Sequence, residues 1–327
     1  MSDVNLKGVI LDFDSLAPNA LNCDQLFNLE GIEWLVYKTT KPDQTLERIK
    51  TADVVLTNKV VIDEVLINAT ENLKYIGVLA TGTNNIDLSA CAKRGVQVHN
   101  VEGYGTASVA QHTLMLMLML ATSANQYQAA IAQGEWVKSP FFCLLDHPVM
   151  NLEGKHLVLI GYGELGQAVA KLANAFGMRI SVAQRLGQSE PSTFTLNGDS
   201  HQRQPLASLL PEADFVSLHC VLTPETEKLI NQQRLAIMKS SAYLINTARG
   251  GLIDEAALLN ALQSGQIGGA GLDVLSQEPP PKDHLLLSAS LPNLIVTPHT
   301  AWAATEARQR LLDIAVSHVQ NFLKHAS

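Results

Sequence analysis

The chain has 327 residues, 46% hydrophobic and 17% charged, a length suited to two domains and a balance typical of a compact protein rather than a disordered one. A formal net charge of −8 argues against a general binder of nucleic-acid backbones and requires any anionic substrate to meet a local cation. The four cysteines, Cys23, Cys91, Cys143 and Cys220, stand singly with no CxxC pair, so neither a metal site nor a disulfide framework is expected.

The opening MSDVNLKGVILDFDS places acids among its apolar residues, unlike a signal peptide, and the expected compartment is the cytoplasm. Strands are expected at 8–11, 53–57, 75–79 and 96–98, with helices at 61–69 and 88–94 between them. Such alternation predicts a parallel α/β sheet. A long helix is expected over about 107–133, opened by Ser108 and ended near Gly134. Its apolar run Leu114–Ala121 is far shorter than the roughly 18 to 20 residues of a spanning helix, so it reads as a core or interface helix. The stretch 135–150 holds Pro140 and Pro148 and reads as irregular. Alternation resumes with strands at 156–160, 179–183, 214–218, 242–246, 269–274 and 294–297, and a helix over about 305–324 closes the chain.

The strongest local motif is HLVLIGYGELG, residues 156–166. An apolar strand runs into Gly161, Gly163 and Gly166, with Glu164 and Leu165 opening a helix. In a dinucleotide-binding turn the first glycine permits the turn, the second admits the pyrophosphate and the third allows close helix–strand packing. The helix N-terminus then offers free N–H groups to the phosphates. About 20 residues on, such folds place an acid on the adenosine ribose. Here Gln184 stands in that place and Arg185 follows. Loss of the carboxylate removes repulsion against a 2′-phosphate, and the guanidinium can pair with it, which points to NADPH, or to use of both NADP and NAD.

Three ionisable residues follow the ends of later strands: Arg249 in NTARGGLIDE, Glu278 in LDVLSQEPP and His299 in TPHTAW. Singly, each has a structural explanation: a surface ion pair, a solvated loop acid, a hydrogen-bonded core histidine. Together, at the sheet edge where doubly wound folds bind ligands, they fit one chemistry. Hydride addition to a 2-keto acid places negative charge on the carbonyl oxygen. His299 can donate a proton there and take it back in reverse, and Glu278 beside it would favour the imidazolium and orient the ring. Arg249 offers a planar fork of donors to a carboxylate or carbonyl.

With these motifs in order, the chain resembles the D-isomer-specific 2-hydroxyacid dehydrogenases over nearly its whole length. The segments ATGTNNID, NVEGYGTASVAQHT and FFCLLDHPVM look most like the glycerate dehydrogenases, or hydroxypyruvate reductases, within that family. The resemblance implies two Rossmann-like α/β domains, each a doubly wound parallel sheet, with a cleft between them. The substrate domain would be 1–102 plus 299–327 and the NAD(P)-binding domain 103–298. It implies that Arg249, Glu278 and His299 are the catalytic set. Ala80–Thr83, with Thr81 and Gly82, would grip the substrate carboxylate through backbone amides. Asp273 would face the nicotinamide carboxamide, Thr106, Thr247 and Ala248 would line the cofactor site, and Cys220 would lie near the adenosine half, where Val221 replaces a proline common in the family. Asn58 or Lys59 is expected at the far end of the substrate and Trp302 at its side-chain pocket. The expected partners are a small 2-keto or 2-hydroxy acid, hydroxypyruvate first and glyoxylate second, and a second copy of the chain in a homodimer, with no nucleic acid, membrane or metal. Formate-type enzymes carry glutamine where this chain has Glu278, and phosphoglycerate-type enzymes usually carry an added regulatory domain. The C-terminal-binding protein corepressors share the Arg, Glu and His, and provide the alternative reading of an NAD(H)-sensing binding protein.

Overall fold

The computed structural model describes residues 5–188 and 190–326. The chain separates into two compact units, one formed by residues up to Gly105 with those from Ala303 onward, the other by Thr106–Trp302.

The first unit is a five-stranded parallel sheet of β1 (Leu6–Ile10), β2 (Ile32–Val36), β3 (Val54–Thr57), β4 (Tyr75–Val78) and β5 (Gln97–His99), in the order β2-β1-β3-β4-β5. The continuous apolar runs β3 and β4 are buried at every position, as a central parallel strand covered on both faces requires. The strand β2, absent from the expected elements, lies at the edge and is exposed along much of its length. Helix Leu88–Arg94 lies where expected because Asp87 caps it through Ala90 N–H and Gly95 ends it at φ +70°. The preceding helix, expected from 61, begins at Glu64 because the Asp63 carboxylate takes Leu66 N–H. The closing helix Thr305–Ala326 packs on β4, with the Phe322 and Tyr75 rings 4.9 Å apart.

The second unit holds β6 (His156–Ile160), β7 (Arg179–Val182), β10 (Phe215–Leu218), β11 (Tyr243–Asn246), β12 (Gly269–Leu272) and β13 (Leu294–Val296), all parallel in the order β13-β12-β11-β10-β6-β7. Side chains alternate between faces. Val158 and Ile160 enter one apolar core, while Leu157 and Leu159 enter the other. A separate antiparallel hairpin joins β8 (Thr193–Leu196) and β9 (Asp199–Gln202). Its turn is Asn197–Gly198, both at positive φ, a strong hairpin signal that the expected elements overlooked.

The expected long helix is two helices, Thr106–Ala121 and Ala124–Ala132, bent by 61°. Ser123 at the break has φ +51°. The returning chain fixes it there: Ser123 Oγ donates to Pro148 O (2.7 Å) and Met150 N–H to Ala121 O (2.7 Å). Among the described residues no single helix is long and apolar enough to cross a membrane, although this bent pair would pass by length and composition. The first helix of the pair instead packs on β11 and β12. A Cβ on Gly271 would stand 3.0 Å from Leu116 Cβ, so the bare strand lets the helix lie close.

The unit boundaries follow Gly105 and Trp302 rather than 102 and 298. Tyr104 O accepts from the Arg310 guanidinium at 2.9 Å, tying that stretch to the closing helix. Residues 299–301 all bond through backbone N–H to Asp273, which ties them to β12.

Burial sets the acid response of the second unit. His219, just after β10, shares Nε2 with Ser217 Oγ at 2.8 Å, while its Nδ1 is buried without a partner. Burial pushes the imidazole down to about 4 from its ordinary 6.5. Burial also lowers His156 and His112, the latter against the pull of Asp273. The unfolded chain therefore takes up protons first, and the stability present above pH 6.5 is lost as pH falls from there towards 4. We predict a melting temperature that declines over that interval, with a shallower decline in His219→Gln. Superimposable melting-temperature curves for the two proteins would contradict this account.

Candidate functional site

Every expected cofactor and catalytic position in the second unit follows the C-terminal end of a strand or opens the helix beside it. Gly161 leaves β6 at φ +99°, and a Cβ there would meet His219 O at 2.4 Å. Gly166 is equally constrained, since its Cβ would stand 2.4 Å from Gly161 O. Gly163, at the start of helix Glu164–Ala175, has nothing within 4 Å of where a Cβ would point. Two glycines thus serve the fold, and the third leaves open space in front of a helix N-terminus. That cradle fits a dinucleotide pyrophosphate. Glu164 is exposed, with its carboxylate hydrogen-bonded to Thr106 Oγ1, and Leu165 is half-buried. Thr247 is buried, with its hydroxyl 3.0 Å from Thr113 Oγ1, and Ala248 N–H donates to Asn246 Oδ1. Burial pushes the half-buried Cys220 thiol up, so the residue is neutral there.

Gln184 follows β7 and donates its N–H to Gln204 O at 2.8 Å, and Arg185 beside it is exposed. A parallel bridge between Ala183 and Gln204 brings a second cation, Arg203, to the same edge. Its guanidinium lies 5.8 Å from the centre of the Tyr162 ring, within the glycine loop. Burial, and then the Arg185 charge, hold Arg203 below the usual arginine range. Arg203 was not among the expected residues, because 18 residues separate it from Arg185 and only the hairpin's return reveals the pairing.

The three ionisable residues stand on three neighbouring strands. Arg249 follows β11, Glu278 lies beyond β12 and His299 follows β13. His299 Nδ1 is 2.6 Å from Glu278 Oε2, and Glu278 Oε1 accepts Leu275 N–H at 2.9 Å. Both side chains are about one-third exposed, 32% and 34%, so the pair is fixed yet reachable. Arg249 is exposed, and its Nη1 donates to Ala248 O at 2.7 Å. The next residue, Gly250, presses on the glutamate's loop: a Cβ there would stand 1.9 Å from the Leu275 carbonyl carbon. Only glycine allows that contact, which joins the arginine's turn to the loop that carries Glu278.

Asp273 is 1% exposed. Its Oδ1 accepts Thr297 Oγ1–H (2.6 Å) and Thr300 N–H (2.9 Å) and lies 3.3 Å from His112 Nε2, while Oδ2 accepts Ala301 N–H (2.8 Å). Its backbone carbonyl also takes His299 N–H at 2.9 Å. Both oxygens are thus engaged in building the turn that carries His299. His299 itself sits at φ +53°, a conformation that needs such support. Trp302, half-buried, closes this stretch.

In the first unit, Thr81 and Gly82 follow β4 and Asn58 follows β3. Thr81 is exposed and donates Oγ1–H to Val101 O at 3.1 Å, and Gly82 is half-buried. Asn58 is 3% exposed with its amide on Ser15 Oγ at 3.1 Å, and its N–H and that of Lys59 bond to the buried Asp12 carboxylate.

The sequence pattern of the D-isomer specific 2-hydroxyacid dehydrogenase NAD binding domain matches residues 114–301. The chain belongs to that family. A hydroxypyruvate reductase of Blautia hydrogenotrophica is 38% identical over 98% of this chain and 97% of its own length. A glycerate dehydrogenase of Methylorubrum extorquens is 41% identical over 97% of this chain and 96% of its own. An NADPH-dependent glyoxylate/hydroxypyruvate reductase from Sinorhizobium meliloti, solved in complex with NADP and malonate, superposes with a TM-score of 0.78 at 26% identity, covering 97% of this chain and 93% of that one. The expected likeness to glycerate dehydrogenases and hydroxypyruvate reductases is therefore found, together with the NAD-binding domain that accompanies it.

The glycines differ in what surrounds them, Gly161 and Gly166 being crowded by backbone and Gly163 open. We predict that Gly163→Ala keeps the wild-type melting temperature, since no atom lies in the way, but loses about tenfold or more in dinucleotide affinity, a cost of roughly 1.4 kcal/mol. Gly161→Ala, which drives a methyl into backbone, should lose at least about 1–3 kcal/mol of stability. Calorimetry with and without cofactor reads both, and equal behaviour of the two variants would refute the division of roles.

Proposed function

We propose that the protein reduces hydroxypyruvate, and less efficiently glyoxylate, to the D-2-hydroxy acid, and runs the reverse reaction with the same groups. The observation that carries this reading is the 2.6 Å contact between His299 Nδ1 and Glu278 Oε2 at the sheet edge where Arg249 also emerges. With Nδ1–H committed to the carboxylate, Nε2 is the nitrogen left to work on substrate. The bound nicotinamide cofactor supplies the hydride in reduction and accepts it in oxidation.

During reduction His299 gives the Nε2 proton to the carbonyl oxygen as charge grows there, and during oxidation it takes the proton from the hydroxyl. Glu278 holds the ring through Nδ1 so that Nε2 keeps one direction. Arg249 aims its donors at the substrate carboxylate or carbonyl, offsetting locally a chain of net charge −8. In the first unit, the Thr81 and Gly82 amides are assigned to the substrate carboxylate. Asn58, buried with its amide engaged, is a weaker candidate for substrate contact than Trp302. The relatives described above are named as reductases and dehydrogenases, and no observation favours the corepressor reading.

For the cofactor, Gln184, Arg185 and Arg203 favour NADPH, or use of both forms, because two guanidinium groups converge where a ribose-binding acid would otherwise stand. The reading is of a cytosolic enzyme that self-associates. Among the described residues the three most exposed large apolar side chains, Val137, Phe142 and Leu145 at 92%, 90% and 84%, fall in one stretch, with Phe141 and Val149 beside them. A patch of this kind supports an interface with a second copy.

Absorbance at 340 nm with NADPH and NADH, against hydroxypyruvate, glyoxylate and pyruvate, tests the reaction. We expect fast turnover of hydroxypyruvate that falls by about 100-fold or more in His299→Ala. Arg185→Ala and Arg203→Ala should each weaken NADPH use by about tenfold while leaving NADH within about twofold. A wild-type preference for NADH of tenfold or more would sink the NADPH reading, and absence of turnover with cofactor still bound would sink the enzymatic one. For assembly, sedimentation should show a dimer that Phe142→Asp converts to monomer. A monomeric wild-type protein at micromolar concentration would remove the self-association proposal.

A further inference from the structure

The loop that carries Glu278 has no core of its own. Residues 276–283 are all exposed, whereas Leu275 before them and His284 after them are buried. What holds this loop is a carboxylate outside the set assigned above. Glu255 stands in the first turn of helix Glu255–Gln263. An acid there commonly faces solvent and favours the helix dipole, but this side chain is only 9% exposed and turns to the loop. Its Oε1 accepts Ser276 N–H at 2.8 Å and its Oε2 accepts Ser276 Oγ–H at 2.7 Å. The same Oε2 lies 3.2 Å from Nε2 of the buried His284. One carboxylate therefore holds the loop at Ser276, two residues before Glu278, and stands beside His284, six after it, whose Nε2 makes no hydrogen bond.

The grip is continuous with the acid/base pair. Ser276 follows Leu275, whose N–H fixes Glu278 Oε1, while Glu278 Oε2 faces His299 Nδ1. Gly250 packs against the same Leu275–Ser276 peptide from the arginine's turn, so the segment that follows β11 holds the loop twice. A carboxylate that takes two hydrogen bonds from the residue two before Glu278 restricts where Glu278 can stand, and small displacements of an acid/base pair are costly to rate.

We propose that Glu255 is a positioning residue: by holding the loop 276–283 at Ser276 it sets Glu278 against His299 and so holds His299 in its working orientation. The proposal rests on the reading above that Glu278 and His299 are the acid/base pair. It adds a buried residue that touches neither substrate nor cofactor.

The test is a double-mutant cycle in the full-length protein, with Glu255→Gln, Glu278→Gln and the pair. It uses hydroxypyruvate with whichever nicotinamide cofactor turns over faster. Glutamine keeps the volume and one acceptor oxygen but sets an amide against Ser276 Oγ and His284. We expect Glu255→Gln to lose about tenfold or more in kcat, with cofactor dissociation, read by fluorescence, within about twofold of wild type. In the Glu278→Gln background the further loss should shrink below about twofold, because the clamp then has nothing to position. A merely structural role would cost the same factor in both backgrounds, and that result overturns the proposal. So does full activity of Glu255→Gln alongside a crippled Glu278→Gln, which leaves the acid/base reading standing. Unchanged turnover in Glu278→Gln overturns the acid/base reading and this inference with it. If Glu255→Gln does not fold, Ser276→Ala removes only the hydroxyl bond and runs in the same cycle. A loss of about threefold that vanishes in the Glu278→Gln background supports the clamp, and an equal loss in both backgrounds overturns it.

Discussion

The buried carboxylate of Asp273 is the constraint on which the sheet edge carrying His299 depends. An isolated carboxylate at 1% exposure would cost several kcal/mol in desolvation. Here Thr297, Thr300 and Ala301 donate to it and His112 lies beside it, each hydrogen bond to a charged group contributing about 1.5–3 kcal/mol. The requirement to satisfy that charge pulls the chain after β13 into one tight turn, and the turn leaves His299 at positive φ. The position of the histidine is therefore a consequence of where β12 delivers an aspartate.

From that turn the remaining contacts follow in sequence. His299 meets Glu278, Glu278 is fixed by Leu275, and the Leu275–Ser276 peptide is pressed by Gly250 and held by Glu255. The chain of contacts crosses the ends of three adjacent strands, β13, β12 and β11, and Arg249 emerges from the last. On the far side of the same sheet, β6 and β7 deliver the glycine loop and the Gln184–Arg185 pair. Parallel strands place all their C-terminal ends on one edge, so the Glu278–His299 pair and the glycine loop share an edge.

Charge is distributed accordingly. The protein is acidic overall, yet Arg185 and Arg203 gather at one end of that edge and Arg249 at the middle strands. Exposure divides in the same way. The Glu278 and His299 side chains are partly open, while the carboxylates bonded to their segments, Asp273 and Glu255, are shielded. Shielding keeps those orienting contacts strong, since a buried polar contact is not in competition with water.

Local chemistry in the sequence was enough for most elements and for the reactive residues. Apolar runs such as His156–Ile160 have one low-energy way to be buried on both sides, and Asp87 with Gly95 bounds a helix without outside help. The glycine spacing, Arg249, Glu278 and His299 were legible because each is a residue type whose chemistry shows in a short segment. The break at Ser123 and the edge strand β2 depended on neighbours distant in the chain, and the Asn197–Gly198 hairpin carried a local signal that went unread. Two things belonged wholly to the tertiary structure: that Asp273 spends both oxygens on the His299 turn, and that Arg203 and Glu255 lie beside Arg185 and the Glu278 loop. Each is a contact between segments 18 to 28 residues apart, and such contacts exist only once the parallel strands have aligned their ends.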